Sequence, residues 1–234
     1  MKTEMNQKSG RAASFGRPFD KIRDLCYIIP MNEGYERYLA LVERVDRFLA
    51  EVRKRYQGQI LCRKGCGDCC HQFLSLWPVE AYHITQGLQD LPEALMGRLQ
   101  RQAETIGWSQ CPLLLDAACA LYNYRPILCR TYGYPFISQE EGDPLGPLVS
   151  YCPRNFQELT EGDRLEGEFL LDLDALNRML VGANLLFLQA LEKVPSGEVS
   201  RIPISEILRG WGPGRAGWAQ RVKKDRRSEP RRKC

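Results

Sequence analysis

The stretch "CRKGCGDCC", Cys62–Cys70, places four cysteines within nine positions and makes the last two adjacent. This density of thiols admits three interpretations: a disulfide framework, a redox thiol pair or a metal site. The C-x2-C spacing of Cys66 and Cys69 is typical of a turn that lets both sulfurs approach one metal. Gly65 and Gly67 allow such a turn and let backbone N–H groups come close to sulfur. Alternatively, Cys62, Cys66 and Cys70 would share one face of a helix, with Cys69 on the same side.

The charge of the thiolates favours metal over the other two interpretations. Close thiolates repel one another unless a cation neutralises them, and metal ions deprotonate and hold thiols. A thioredoxin-like C-x-x-C has two cysteines in a βαβ setting, and neither the cysteine count nor the surroundings fit here. Permanent disulfides are rare in a reducing cytosol, which is where we expect this chain.

The expected localisation is cytoplasmic, with no membrane partner. The N-terminus lacks the apolar segment of a signal peptide. The longest mainly apolar run, "LVGANLLFLQAL", has twelve residues and is too short to cross a bilayer.

Eight of the ten cysteines lie between positions 62 and 152. We expect the four later ones to be ligands or to lie beside the site: Cys111, Cys119, Cys129 and Cys152. Cys26 and Cys234 stand apart and are predicted to be ordinary cysteines, since single cysteines are common core residues. Side chains of adjacent residues usually diverge. We therefore expect Cys69 and Cys70 to serve two different metals, or different irons of one cluster.

Three further side chains are candidates for lining the site. Arg125 and Arg130 flank Cys129 in "RPILCR", where they would offset thiolate charge or bind an anionic substrate. His71 directly follows the cysteine run and is an additional candidate ligand. His83, the other of the two histidines, is predicted to be a packed or solvated helix residue.

Four blocks occur in order along the chain: "CRKGCGDCC", "CPLL", "CALYNYRPILCRTYG" and a later Cys152. Together they resemble the CxxxCxxCC, or YkgJ, family of cysteine-cluster proteins, which is described as zinc- or iron-chelating. The resemblance covers about residues 62–152. It implies eight metal ligands, namely Cys62, Cys66, Cys69, Cys70, Cys111, Cys119, Cys129 and Cys152. His71 is a departure, because relatives often carry a basic residue there.

Three functions follow from this reading. The first is a metal-binding protein holding one or two 4Fe–4S iron–sulfur clusters, with a redox or protein-modifying role. The compact glycine-containing run favours it, because a bulky cluster accepts backbone N–H donors. The second is a protein-interaction module without catalysis, stabilised by Zn²⁺ in a closed tetrahedron of thiolates.

The third function is methyl transfer to a protein, as in the related flagellin lysine N-methylases. The chain lacks a G-x-G-x-x-G loop for S-adenosylmethionine and the long additional region of that group.

Thiolate ligands alone do not distinguish zinc from iron, so the sequence leaves the identity of the metal open.

The chain divides into three regions. Residues 1–32 are predicted to be a loosely ordered segment, 33–210 one helical cysteine-cluster domain, and 211–234 a basic disordered tail. The tail has nine Lys/Arg and two Asp/Glu, so the other 210 residues carry a net charge of about −3. The basic pI therefore describes the tail, and a nucleic-acid partner is expected only through it.

The fold class predicted from apolar periodicity is mainly α. Helices are expected at 33–57, 78–88, 91–106 and 163–194, with a short one starting at Ser205. They would surround an irregular cysteine-rich metal-binding core, in which residues 107–155 fold over the first cysteine run. A protein partner or substrate is expected.

Overall fold

The computed structural model describes residues 32–107, 109–138, 147–160, 163–191 and 201–210. Within these ranges lie six α-helices, together with seven strands of two or three residues in three small sheets. The prediction of a mainly α fold is therefore confirmed. The predicted N-terminal segment, apart from Asn32, and the basic tail lie outside the described residues. None of the described helices combines the length and apolar character needed to cross a bilayer.

Two long helices, α1 (Glu33–Arg55) and α5 (Leu173–Gln189), pack against each other. The N-terminus of α1 is capped by Asn32, whose side chain accepts a hydrogen bond from the N–H of Tyr35 at 2.9 Å. A Cβ atom at Gly34 would lie 2.0 Å from the backbone nitrogen of Phe187. Glycine at this position therefore lets the two helices approach closely.

The other helices include three whose predicted ends agree with the structure to within two residues. These are α2 (Pro78–Gln89), α3 (Glu93–Thr105) and α6 (Ile204–Leu208). Helix α1 also agrees with its prediction, and α4 (Ile127–Thr131) is a single short turn of helix inside the predicted irregular region. The three- and four-residue spacing of apolar side chains, together with residues typical of helix ends such as Pro78, therefore predicts the bounds of most of these helices.

The prediction of one helix over 163–194 is wrong in its first ten residues. A 3₁₀ turn (Gly167–Phe169) and a short strand precede α5, which begins after Asp172. The Asp172 side chain accepts a hydrogen bond from the N–H of Ala175 at 2.8 Å, and an aspartate in this role starts a helix rather than continuing one. The last residues of the predicted helix, 192–194, lie outside the described residues.

The strands pair in three separate sheets. Strand β1 (Ser75–Leu76) is antiparallel to β7 (Ile202–Pro203), and β2 (Leu114–Leu115) forms a hairpin with β3 (Ala118–Cys119). The third sheet has the order β5–β4–β6, with antiparallel β5/β4 and parallel β4/β6 pairs. Its strands are β4 (Phe136–Ser138), β5 (Leu148–Ser150) and β6 (Leu171–Asp172). Strands this short carry too few residues for an alternating pattern to be recognised.

The centre of the fold is aliphatic and aromatic. Its largest fully buried side chains come mainly from α1, α2, α3, α5 and α6, and include Tyr38, Ile84, Leu99, Phe187 and Ile204. Among the described cysteines, Cys111 is buried and the other seven are partly exposed. The cysteine-bearing segments therefore pack against an apolar core instead of forming its centre.

Glu80 connects this helical core to the cysteine-bearing part of the chain. Its side chain is only 2% exposed. One carboxylate oxygen accepts a hydrogen bond from the N–H of Trp77 at 3.2 Å, and the other from the N–H of Ile127 at 3.0 Å. The first bond caps α2 and the second caps α4, which carries Cys129. Burial raises the pKa of Glu80 to about 7.

We predict that Glu80→Gln lowers the free energy of unfolding by about 1–3 kcal/mol, because an amide keeps only one of the two acceptor oxygens. The loss should depend on pH. Since the pKa of Glu80 in the folded state is raised from 4.5 to about 7, the unfolded chain releases this proton first. The stability contributed by Glu80 therefore decreases as pH rises from about 4.5 to 7.

Urea unfolding at several pH values measures this effect. The difference between wild type and Glu80→Gln should narrow as pH rises through that window. Glu104→Gln on the exposed surface of α3 is the matched control, and its effect should stay within about 0.5 kcal/mol at every pH. A difference for Glu80→Gln that is constant with pH would contradict the prediction.

Candidate metal centre

The first cysteine run follows α1 and folds as two successive turns. The N–H of Cys66 donates to the carbonyl of Arg63 at 3.0 Å, and the N–H of Cys70 donates to that of Gly67 at 2.9 Å. The second turn is a 3₁₀ helix, Asp68–Cys70. The run is therefore a turn, as the C-x2-C spacing predicts, and not an α-helix.

The later cysteines reach this run through short pieces of regular structure. The N–H of Cys111 donates to the carbonyl of Cys70 at 2.6 Å, which docks the second segment on the first. Cys119 ends β3, across a hairpin whose two turn residues, Asp116 and Ala117, have φ values of +50° and +60°. Two left-handed residues in a two-residue loop are typical of a type I′ turn. Helix α4 supplies Cys129.

Four thiols form what we call the inner group: Cys69, Cys111, Cys119 and Cys129. Every pair among them interacts electrostatically, because each thiolate would raise the pKa of the others. Burial is the main cause of the raised pKa of Cys111, to about 12, and of the raised pKa values of Cys119 and Cys129. The inner group therefore holds its protons tightly until a cation replaces them.

Backbone N–H groups favour charge on two of the inner sulfurs. Those of Leu113 and Leu114 lower the pKa of Cys111, and that of Leu121 lowers the pKa of Cys119. Each of these contributions opposes the effect of burial. Donors of this kind stabilise charge on sulfur and orient ligands around a metal.

Three thiols form a separate outer group: Cys62, Cys66 and Cys152. Burial raises the pKa of Cys62, a hydrogen bond from Asn155 lowers it, and the charges of Cys152 and Cys66 raise it. A Cβ atom at Gly133 would lie 2.5 Å from the sulfur of Cys62 and 3.3 Å from the Cβ of Cys152. Gly133 is therefore the point at which the two ends of the cysteine region meet.

Asn155 holds the outer group together from inside. Its side chain is 1% exposed. Its Nδ2 donates to the carbonyl of Gly133 at 2.6 Å and lies 3.5 Å from the sulfur of Cys62, while its Oδ1 accepts from the N–H of Leu61 at 2.8 Å. One buried amide thus connects its own segment to two others, the segment of Leu61 and Cys62 and the segment of Gly133.

Arg154 lies on the exposed side of the outer group. Its Nη1 forms an ion pair with Asp68 at 2.5 Å and lies 4.0 Å from the sulfur of Cys66. The hydrogen bond and charge of Asp68, followed by the charge of Cys66, raise the pKa of Arg154. The outer group therefore has a guanidinium beside its thiols at the solvent boundary.

Arg125 and Arg130 have different surroundings. The charge of Arg125 lowers the pKa of Cys69 and of Cys119, as expected for an arginine that offsets thiolate charge. Arg130 is buried and pairs with Asp46 of α1 at 2.6 Å. It also donates to the carbonyls of Arg125 and Asn123, and therefore ties α4 to the helical core.

His71 is exposed, and its backbone N–H donates to the carbonyl of Asp68 at 3.3 Å. No hydrogen bond of its imidazole to a thiol occurs among the described residues.

Asn155 and Arg154 were not among the predicted site residues. They follow Cys152 closely, but neither periodicity nor a motif distinguishes them from ordinary turn residues.

Cys69 and Cys70 lie at the junction of the inner and outer groups. A hydrogen bond between their thiols is the largest cause of the raised pKa of Cys69. The 3₁₀ turn explains this, because it places the two side chains closer together than an extended backbone would. Cys69 interacts with the inner group and also with Cys62, so this residue pair joins the two groups.

All eight described cysteines are free thiols, and no disulfide framework forms among them. Within the described ranges no three Cys, His, Asp or Glu side chains form a group that would hold a metal ion as they stand. The donor set nevertheless fits zinc or iron, since it combines several thiols with N–H donors on their sulfurs. The residues fit in chemistry, and binding would require the thiol side chains to rotate until their sulfurs converge on the metal.

Residues 61–153 match the model of the CxxCxxCC family, described as "Putative zinc- or iron-chelating domain". The match covers 93 of the chain's 234 residues and confirms the resemblance found in its motifs. No curated protein and no solved structure matches the chain.

We predict that Gly133→Ala destabilises the fold and disturbs the outer group. Gly133 has a φ of +94°, and a methyl group there would collide with the sulfur of Cys62. Left-handed strain alone costs about 1–2 kcal/mol, and the collision adds to it. Urea unfolding should show a loss of more than 2 kcal/mol, roughly the upper end of that strain.

Gly58→Ala is the matched control. Gly58 has a similar φ of +84°, but nothing lies within 4 Å of a Cβ atom there. It therefore measures left-handed strain without the collision. Equal losses for the two variants would show that the sulfur of Cys62 moves aside at no cost.

Proposed function

We propose that this chain is an iron–sulfur protein whose inner group binds a 4Fe–4S cluster. The observation that supports the proposal is the electrostatic coupling of the four inner thiols: each thiolate would raise the pKa of the other three, while backbone N–H groups lower the pKa of Cys111 and Cys119. Four cysteines are the usual ligand set of such a cluster, and hydrogen bonds to sulfur tune its potential. When bound, the cluster would supply one-electron chemistry.

The outer group would form a second, more accessible site. Cys62, Cys66 and Cys152 supply three thiols, and Cys70 is the candidate fourth ligand because it is joined to Cys69. Arg154, at 4.0 Å from the sulfur of Cys66, offsets negative charge at this site. Because the outer site adjoins solvent, we propose that a redox partner or protein substrate approaches the metal centre from this side.

A zinc-stabilised interaction module is the second candidate. The inner group favours it because four cysteines also complete a closed tetrahedral zinc site, which is structural and leaves no position open. The domain would then present its surface to a protein partner and would perform no chemistry. The same residues therefore support both functions, and the identity of the metal decides between them.

Anaerobic purification, followed by metal analysis and an absorption spectrum of the same sample, tests the proposal. We expect iron, acid-labile sulfide and broad absorption near about 400 nm, where thiolate-ligated clusters absorb. A colourless sample with stoichiometric zinc would overturn the iron–sulfur proposal and favour the interaction module.

Serine variants test the division into two groups. We predict that Cys119→Ser removes the inner metal together with its absorption. Cys152→Ser should leave the inner metal in place and remove only the outer metal, because Cys152 lies beside Cys62 in the outer group. Cys234→Ser, outside the family match, is the control and should bind metal as the wild type does. Equal metal loss in Cys119→Ser and Cys152→Ser would indicate a single site.

A further inference from the structure

A cleft of about 730 Å³ lies between α1 and the segment that leads into α4. Leu39 and Val42 of α1 form an apolar wall, and Tyr122 and Arg125 lie in the facing segment. No cysteine lines this cleft within the part of the chain that the structure describes. It is therefore distinct from the thiol groups, although Arg125 adjoins both.

The charges in the cleft are almost balanced. Asp46 pairs with Arg130 at 2.6 Å, and Glu43 lies 3.9 Å from Arg47. Arg125 forms no ion pair with any described residue. One positive charge in the lining, that of Arg125, thus has no carboxylate partner among the described residues, and the negative charges it would act on are the thiolates of Cys69 and Cys119.

The Arg125 guanidinium is held in place on the cleft wall. It lies over the ring of Tyr122, with 3.7 Å between its central carbon and the ring centroid. Its Nε donates to the carbonyl of Tyr122 at 3.0 Å, and its Nη1 donates to that of Cys129 at 3.2 Å. Its Nη2 donates to no acceptor among the described residues. A fixed guanidinium with unused N–H groups is suited to binding a carboxylate.

A second polar group in the lining lacks a partner. His83 is 6% exposed and contributes to the wall of the cleft. Its Nδ1 lies 3.0 Å from the hydroxyl of Tyr35, whereas its Nε2 is buried with no hydrogen-bond partner among the described residues. Burial and the charge of Arg130 lower the pKa of His83 to about 4, so the ring is neutral. Unpaired buried polar atoms cost free energy, and a ligand would relieve that cost.

We propose that this cleft binds a small organic monocarboxylate. Arg125 contacts the carboxylate, and Leu39 and Val42 contact the carbon chain. The net charge of +1 in the lining matches a single negative charge, whereas a phosphate dianion would lack a second cation. His83 contributes a neutral imidazole to the lining, with Nε2 protonated in the tautomer whose Nδ1 accepts from the Tyr35 hydroxyl. This inference does not depend on which metal the thiol groups bind.

Isothermal titration calorimetry of the full-length protein as isolated tests the proposal, with butyrate as the probe at constant ionic strength. Butyrate should bind saturably and more tightly than inorganic phosphate. Arg125→Gln should weaken the binding of butyrate by about tenfold or more, since hydrogen bonds to a charged group contribute about 1.5–3 kcal/mol.

Arg44→Gln on α1 is the matched control. It removes the same charge from a residue outside the cleft lining and should leave the affinity for butyrate unchanged. Absence of saturable binding would overturn the proposal, as would equal weakening in the two variants. Tighter binding of phosphate would overturn the assignment to a monocarboxylate. Metal content, measured on the same samples, reports separately on the proposed function.

A second measurement needs no variant. The chain has two histidines, buried His83 and exposed His71, so ¹⁵N-imidazole NMR reports on each separately. Addition of butyrate should shift the Nε2 signal of His83 saturably and leave the signals of His71 unchanged. No shift at His83, or equal shifts at both histidines, would show that the ligand does not occupy this cleft.

Discussion

The buried carboxylate of Glu80 joins the two parts of this molecule. Helix α4 has only five residues, too few to be stable alone, and its first N–H depends on a side chain 47 positions earlier in the chain. The same carboxylate caps α2, which lies within the apolar core. Through this residue, together with the Arg130–Asp46 ion pair, the packing of the helices helps to place Cys129. Burying a charged group costs free energy, and the two N–H donors and the nearby charge of Arg201 offset part of that cost for Glu80.

The thiols face two opposing physical effects. Burial favours the neutral thiol, whereas metal binding needs the thiolate. The inner group is buried more deeply, and backbone N–H donors and Arg125 act on it in favour of charge. The outer group lies nearer to solvent and has Asn155 and Arg154 instead. Two environments of different polarity therefore arise within one stretch of about ninety residues, which suits two metals with different accessibility.

Much of the fold could be predicted from local patterns, because α1 and α3 show their apolar faces and α2 its proline at the first turn. The exception was the region before α5, where apolar residues continue through a turn and a strand until Asp172 starts the helix. The ligand candidates were visible as motifs, but their division into two groups was not. That division depends on contacts between distant residues, such as Asn155 with Leu61, which local spacing does not encode.

The two thiol groups are nested along the chain, since Cys62 and Cys66 precede the four inner cysteines and Cys152 follows them. A ribosome makes the chain from its N-terminus, so all four inner thiols emerge 23 residues before Cys152. The inner group is therefore complete while the outer group still lacks a member. The order of synthesis therefore makes all the inner ligands available before the outer set is complete.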